Sequence, residues 1–455
     1  MRITALLTGS AIVLASLTTP AFAGKKEKDE AAAAKPAPFN KDPYPSTYHA
    51  YPGVPTAVTN VTVYDGEGAK FVNATVYFRD GKVEGIETSG VVKDGYTVID
   101  GTGKWVTPGI IDVHSHLGDY PTPSVEAHSD GNEATGPVRP EVWAEHSVWP
   151  QDPGFSRALA NGGVTALQIL PGSANLFGGR SVTLKNVYAR NVQGMKFPGA
   201  PYGLKMACGE NPKRVYGSRG QMPSTRMGNL AVNRQTWARA VEYKRKLDKG
   251  EAVNRDLAME TLAGVLSGEI LVHNHCYRAD EMSLVMDMAK EFGYKVSTFH
   301  HAVESYKIAD LLAKEGICSA MWADWWGFKM ESYDAINENI PMVHKAGACA
   351  IVHSDQDAAK ALGDGRRMGI NIPDEVAWTW LSYNPAKALG IADKTGSLKP
   401  GKMADIVLWN GNPLSVYSRP DKVWVDGALM FDAADPKKRP VADFELGQPG
   451  EGDVK

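Results

Sequence analysis

The stretch Pro108-Gly109-Ile110-Ile111-Asp112-Val113-His114-Ser115-His116 is an apolar run that ends in two imidazoles separated by one residue. In a strand, side chains at i and i+2 share a face, so His114 and His116 converge on one point and make half of a metal site. A lone His-x-His is weak evidence, and its surroundings decide the reading. Ile270-Leu271-Val272-His273-Asn274-His275 repeats the pattern. Val296-Ser297-Thr298-Phe299-His300-His301 ends in adjacent imidazoles, which face opposite sides if the strand stays regular. Ile351-Val352-His353-Ser354-Asp355 ends in a carboxylate. Of 11 histidines, seven fall at these four run ends.

Further apolar strand candidates at Val164 to Leu170, Ser181 to Leu184, Gly203 to Ala207 and Ile317 to Met321 bring the count of the middle region to eight. Several are followed by amphipathic helical stretches such as Asp280 to Phe292 and Tyr306 to Lys314. Eight strands alternating with helices predict an α/β fold, a closed (β/α)8 TIM barrel. Two long insertions, Gly118 to Gly154 and Gly209 to about Glu251, break the rhythm and sit where a barrel carries its functional loops. Short alternating strands flank the middle, with turn dipeptides at Asp65-Gly66, Asp80-Gly81 and Asp426-Gly427. They predict a small composite β-sandwich domain built from both chain ends. The expected boundaries are 46–106 and 395–432 for the two sandwich parts, 107–394 for the barrel and 433–455 for a tail.

The chain has 455 residues, 43% hydrophobic and 22% charged, with a formal charge of −3, a composition that gives no sign of a nucleic-acid partner. Met1 to Ala23 carries Arg2, an apolar stretch and Ala21-Phe22-Ala23, a cleavable secretory signal in pattern. Residues 24–45 read as a solvated tether. Export to a periplasm, cleavage after Ala23 and no stable membrane anchor are expected. Cys208, Cys276, Cys318 and Cys349 lie in or beside apolar runs and read as buried free thiols.

Imidazoles and carboxylates suit zinc and related ions, and Asp355 beside an ionising water could accept its proton and pass it to a leaving amine. The other reading of Asp355 is a cap on the helix that follows. Glycines Gly172, Gly178 and Gly179 around Asn175 are expected to shape a loop over the pocket. Trp322, Trp325 and Trp326 could line a cleft or belong to the core.

The chain resembles the amidohydrolase superfamily, close to its imidazolonepropionase-like and Xaa-dipeptidase-like branches, over roughly residues 57 to 432. The opening motif is matched by Thr107 to His116. The closing motif is matched by Asn384-Pro385-Ala386-Lys387-Ala388-Leu389-Gly390 and Gly396 to Val407. The resemblance implies hydrolysis of amide or related C–N bonds, with one or two divalent metals held at strand ends. It assigns metal contacts to His114, His116, Lys205, His273, His301 and Asp355, the last also catalytic. His275, His300 and His353 become substrate contacts or supports for the ligands. Lys205, in Leu204-Lys205-Met206-Ala207-Cys208-Gly209, takes the place of a carboxylated, metal-bridging lysine. The alternative is an ammonium paired with a carboxylate such as Glu210, which then stands in as bridge. The implied partner is a small amide: a dipeptide, an N-acyl amino acid or a cyclic amide. Homo-oligomers are allowed. Deamination of a small heterocycle, or metal holding without turnover, are the alternatives.

Overall fold

Ile110–Ser115, Val164–Ile169, Phe177–Lys185, Gly203–Ala207, Leu271–Cys276, Val296–His301, Cys318–Met321 and Cys349–Val352, barrel strands one to eight, form one sheet in sequence order. This computed structural model describes residues 42–438 except 325, 326 and 354, and describes 355 and 356 only through their place in a helix. The expected signal segment, most of the tether, the end of the tail, Trp325, Trp326 and the Asp355 side chain lie outside the described residues. Neighbouring strands run parallel, apart from strand three, which is antiparallel to both its neighbours. Strict alternation of strand and helix therefore fails there. A parallel crossover takes a dozen or more residues, and the link from Ile169 to Phe177 is too short, so the chain reverses as a hairpin.

The sheet curls. Strands one and eight are its edges, yet the ring of His114 lies 5.2 Å from that of His353, just past strand eight. No ladder pairs these two edges among the described residues. The backbone N–H of Ile111 instead donates to Leu381 O at 3.0 Å, and Asn384 Nδ2 donates to Ala350 O at 2.8 Å. The closing motif around Asn384-Pro385 thus bridges the seam. Helices such as Leu257–Leu266, capped by Asp256 through the amides of Ala258 and Met259, and Ala279–Phe292, ended by Gly293 at φ 79°, pack apolar faces on the strands. The expected insertion Gly209 to Glu251 is largely helical, with helices Glu210–Gly217 and Arg226–Asp248. No helix among the described residues is long and apolar enough to cross a membrane.

Strands from both flanks meet in a second eight-stranded sheet. Its order is Ala428–Asp432, Pro420–Val425, Ile406–Trp409, Trp105–Pro108, Thr56–Tyr64, Lys70–Arg79 and Lys82–Glu87, with Thr97–Asp100 also on Thr56–Tyr64. Asp80-Gly81 and Asp426-Gly427 both take positive φ at each residue, the geometry that matches strand twist in a two-residue hairpin.

A buried ion cluster joins these parts. Lys185 Nζ, at the end of strand three, lies 2.9 Å from both oxygens of Asp405 and 3.1 Å from Asp426 Oδ1. Thr395 donates to Asp405 at 2.6 Å, and the Tyr48 hydroxyl donates to Asp426.

The cysteines correct the sequence reading. They form Cys208–Cys276, between the ends of strands four and five, and Cys318–Cys349, between strands seven and eight, with Cα separations of 5.2 and 4.4 Å. Each pair sits on adjacent strands, and Cys318 and Cys349 are direct ladder partners, which brings their Cα atoms within bridging range.

Candidate metal centre

Parallel pairing stacks the candidate residues in rows. Lys205, His273 and Thr298 stand abreast on strands four, five and six, and Ala207, His275 and His300 form the next row two residues on. Rows two residues apart share a face, so these imidazoles and the lysine point the same way. On strand one the register with strand two shifts between Asp112 and Ser115. There the His114 amide donates to Asp112 Oδ1 at 2.9 Å, and the His114 and His116 rings lie 5.1 Å apart, edge to face.

His301 does not face away from His300. Its φ of 69° is left-handed, so the strand leaves regular geometry at that residue. This conformation costs on the order of 1–3 kcal/mol and persists where surroundings hold it. It brings the His301 ring to 4.6 Å from His114, 4.7 Å from His275 and 5.0 Å from His353. Both imidazoles of the pair therefore reach one centre.

The result is a cluster of seven histidines around one lysine. His114, His300 and His353 each offer a ligand atom, and these atoms all lie within 4.8 Å of one another. His114 Nδ1 is 3.0 Å from His300 Nδ1, whose Nε2 is 3.0 Å from His273 Nδ1. His116 Nδ1 lies 2.8 Å from Leu170 O; donation to that carbonyl leaves Nε2 with a free lone pair. His273 Nε2, His275 Nδ1, His301 Nδ1 and Lys205 Nζ are buried without a hydrogen-bond partner among the described residues. Buried polar atoms are almost always paired. Four such orphans within one cluster of histidines fit a cation that accepts their lone pairs. Asp355 begins the helix Asp355–Arg367 directly after this group.

Charge favours the same reading. Burial, aided by Lys205, pushes His116 down to about 4 and His273 and His353 to about 3, and drives His114, His275, His300 and His301 well below 6.5. Neutral imidazoles are the metal-binding form. Burial also pushes the Lys205 amine, 1% exposed, well below its usual range. Glu210 does not pair with it: its carboxylate lies 3.6 Å from Lys329.

These depressed values have a consequence for stability. The unfolded chain takes up histidine protons near 6.5, whereas in the folded metal-free protein His116 does so only near 4 and His273 and His353 only near 3. The stabilisation is complete above pH 6.5 and is lost as pH falls toward 4. Urea unfolding of metal-free protein from pH 7 to 5 is expected to report uptake of roughly three protons or more per molecule. A profile flat over that range contradicts a buried, neutral set.

The walls include Trp322, one of the tryptophans expected to line a cleft, and residues that motif reading passed over. Tyr277, next after strand five, stacks on His301 at 5.6 Å, and Trp322, after strand seven, stacks on it at 4.6 Å. Asn211 lies 3.4 Å from His275 Nε2 and donates to Ser173 at 2.8 Å. Lys329 Nζ rests 4.1 Å from the centre of the Tyr277 ring. Tyr277 could have been found from its place at a strand end; Asn211 and Lys329 carry no local signal. The insertion after strand one is tied down beside the cluster, where Asn175 donates to Glu133 O and Gly136 O at 2.8 and 2.7 Å and the Tyr120 ring meets His116 at 5.8 Å.

Residues 270–431 match the amidohydrolase family. A solved amidohydrolase structure from Thermotoga maritima MSB8 is 36% identical, covering 83% of this chain and 100% of that one, with a TM-score of 0.75. Amidohydrolase tasK of Hapsidospora irregularis is 31% identical over 381 residues, 77% of this chain. Adenine deaminase of Clostridium perfringens is 22% identical over 400 residues, 82% of this chain. The chain spans 39% of the first of these curated relatives and 58% of the second. The likeness to the Thermotoga maritima structure implies a (β/α)8-like barrel, consistent with the curled sheet. Family members are hydrolases of C–N bonds, and the superfamily typically holds one or two divalent metals. With 36% identity across the whole of the Thermotoga maritima protein, and with imidazoles gathered at the ends of the strands, this chain belongs to the amidohydrolase family.

Proposed function

We propose that this chain is an exported, metal-dependent hydrolase that cleaves the amide bond of a small substrate. The observation that carries the reading is the group of orphaned ligand atoms, His273 Nε2, His275 Nδ1, His301 Nδ1 and Lys205 Nζ, beside the His114, His300 and His353 triad. The donor set suits zinc. When bound, such an ion supplies a Lewis acid for the carbonyl and a source of hydroxide at neutral pH. His114, His116, His273, His301 and Asp355 would hold it. Lys205, whose amine burial disfavours as a cation, would add carbon dioxide with loss of a proton to solvent, and the resulting carbamate would supply an anionic ligand for a second ion. Asp355 would take the proton of the attacking water and return it to the departing amine. His275, His300 and His353 would orient ligands and substrate; Tyr277 and Trp322 exclude water from one side. The two disulfides support an oxidising compartment, in line with removal of Met1 to Ala23 on export.

A screen of N-acyl amino acids and dipeptides on zinc-reconstituted protein, with bicarbonate supplied, tests the reading. Release of free amine with bound metal is the expected result. Bound metal without turnover on any member overturns it in favour of a binding role. Ammonia release from heterocycles without amide cleavage favours the second reading, deamination, which the similarity to a protein named adenine deaminase keeps in view.

A further inference from the structure

The loop after strand seven carries a cation, Lys329, one carboxamide away from the histidine cluster and, among the described residues, held to carboxylates only by long ion pairs. Lys329 Nζ lies over the Tyr277 ring at 4.1 Å, and its hydrogen bond is to Asn211 Oδ1 at 3.3 Å. Its nearest carboxylates among the described residues, Glu210 and Glu331, stand at 3.6 and 3.8 Å, beyond hydrogen-bond reach. An ammonium has three donors, and among the described residues only Asn211 takes one within hydrogen-bond reach, the two carboxylates forming long ion pairs. Other cations nearby hold their carboxylates more closely: Arg226 bridges Glu281 at 3.0 Å and Glu331, and Arg278 holds Asp280 at 2.8 Å. The side chain of Lys329 is 16% exposed, so its charge is partly stripped of water and gains from an anionic partner.

Its position relative to the histidines sets the ligand's length. Asn211, whose Oδ1 accepts from Lys329, has its Nδ2 3.4 Å from His275 Nε2. One carboxamide therefore separates the ammonium from the cluster. In an N-acyl amino acid or dipeptide only the amide nitrogen and Cα separate the scissile carbonyl from the terminal carboxylate, so both ends can be met at once. Phe328, half exposed, lies 6.2 Å from Tyr277 and 6.4 Å from Trp322 and offers an apolar surface beside the cation. Glu331, pushed up to about 7 by burial and by Glu281, opposes an incoming carboxylate less than a full anion does.

We propose that Lys329 is the anchor for the free carboxylate of the substrate, so that the site takes N-acyl amino acids or dipeptides with an unblocked C-terminus and an apolar side chain. This deepens the amide-hydrolase reading and rests on it. The test is calorimetric binding of N-methanesulfonyl-L-leucine and its carboxamide, in which an uncleavable sulfonamide replaces the scissile amide, to zinc-loaded protein. The native chain is expected to bind the acid at least about tenfold tighter than the amide. Lys329→Met is expected to reduce that ratio to within about twofold, and Lys329→Arg to keep it. A native protein without preference overturns the proposal. So does a Lys329→Met protein with an undiminished ratio, which would place the carboxylate on the metal instead. The two readings fail separately. An acid preference that depends on Lys329, in a protein that releases amine from no substrate, sinks only the hydrolase reading. Amine release with a ratio indifferent to Lys329 sinks only the anchor.

Discussion

Replacing His114 by alanine is expected to strip bound metal from the protein and to reduce amide turnover by about three orders of magnitude, on the order of 4 kcal/mol in the barrier. The size follows from its position. The His114 ring touches those of His116, His300, His301 and His353, and its Nδ1 stands 3.0 Å from His300. Its removal withdraws a donor from the centre and loosens the neighbours that it orients. Because the cluster is polar and buried without full pairing, the metal-free variant should lose little folding stability, and a urea midpoint close to that of metal-free native protein is expected. A His114→Ala protein that keeps its metal and its turnover contradicts the placement of the site.

The largest expected loss of stability lies elsewhere, at Lys185. This ammonium is fully buried against Asp405 and Asp426, with side-chain exposures of 0%, 1% and 6%. Lys185→Met leaves two carboxylates facing each other without a cation, and breaking a buried pair in this way costs about 3–5 kcal/mol. The effect should be felt in both sheets. Lys185 belongs to barrel strand three, Asp405 precedes the strand Ile406–Trp409, and Asp426 sits in the hairpin turn after Pro420–Val425. Chemical unfolding of Lys185→Met should show a stability lower by that amount. Adding Asp405→Asn and Asp426→Asn should recover a good part of it, since the uncompensated charge is the main penalty. A loss below about 1 kcal/mol contradicts the assigned cluster.

Much of the histidine cluster could be read from spacing. His114 and His116 converge because a strand repeats every two residues, and the same rule aligned His273 with His275. The hairpin dipeptides Asp80-Gly81 and Asp426-Gly427 were equally legible, since positive φ at both turn positions has a residue signature. The rest depended on neighbours that are distant in sequence. His300 and His301 both face the centre because the backbone turns left-handed at His301, which no periodicity announces. Strand three runs backwards because the link before it is too short for a crossover, a feature hidden by an apolar run that looks like its neighbours. Four cysteines allow three pairings, and only strand adjacency selects Cys208–Cys276 and Cys318–Cys349. Lys185 reads as an ordinary strand-end lysine until Asp405 and Asp426, more than 200 residues on, are placed against it.

Metal analysis by mass spectrometry after zinc reconstitution and exhaustive dialysis tests the central claim most directly. One to two equivalents per chain are expected in the native protein, and less than about a tenth of that in a folded His114→Ala, His300→Ala double variant. A native protein that retains no metal, or a double variant that holds the full complement, contradicts the account.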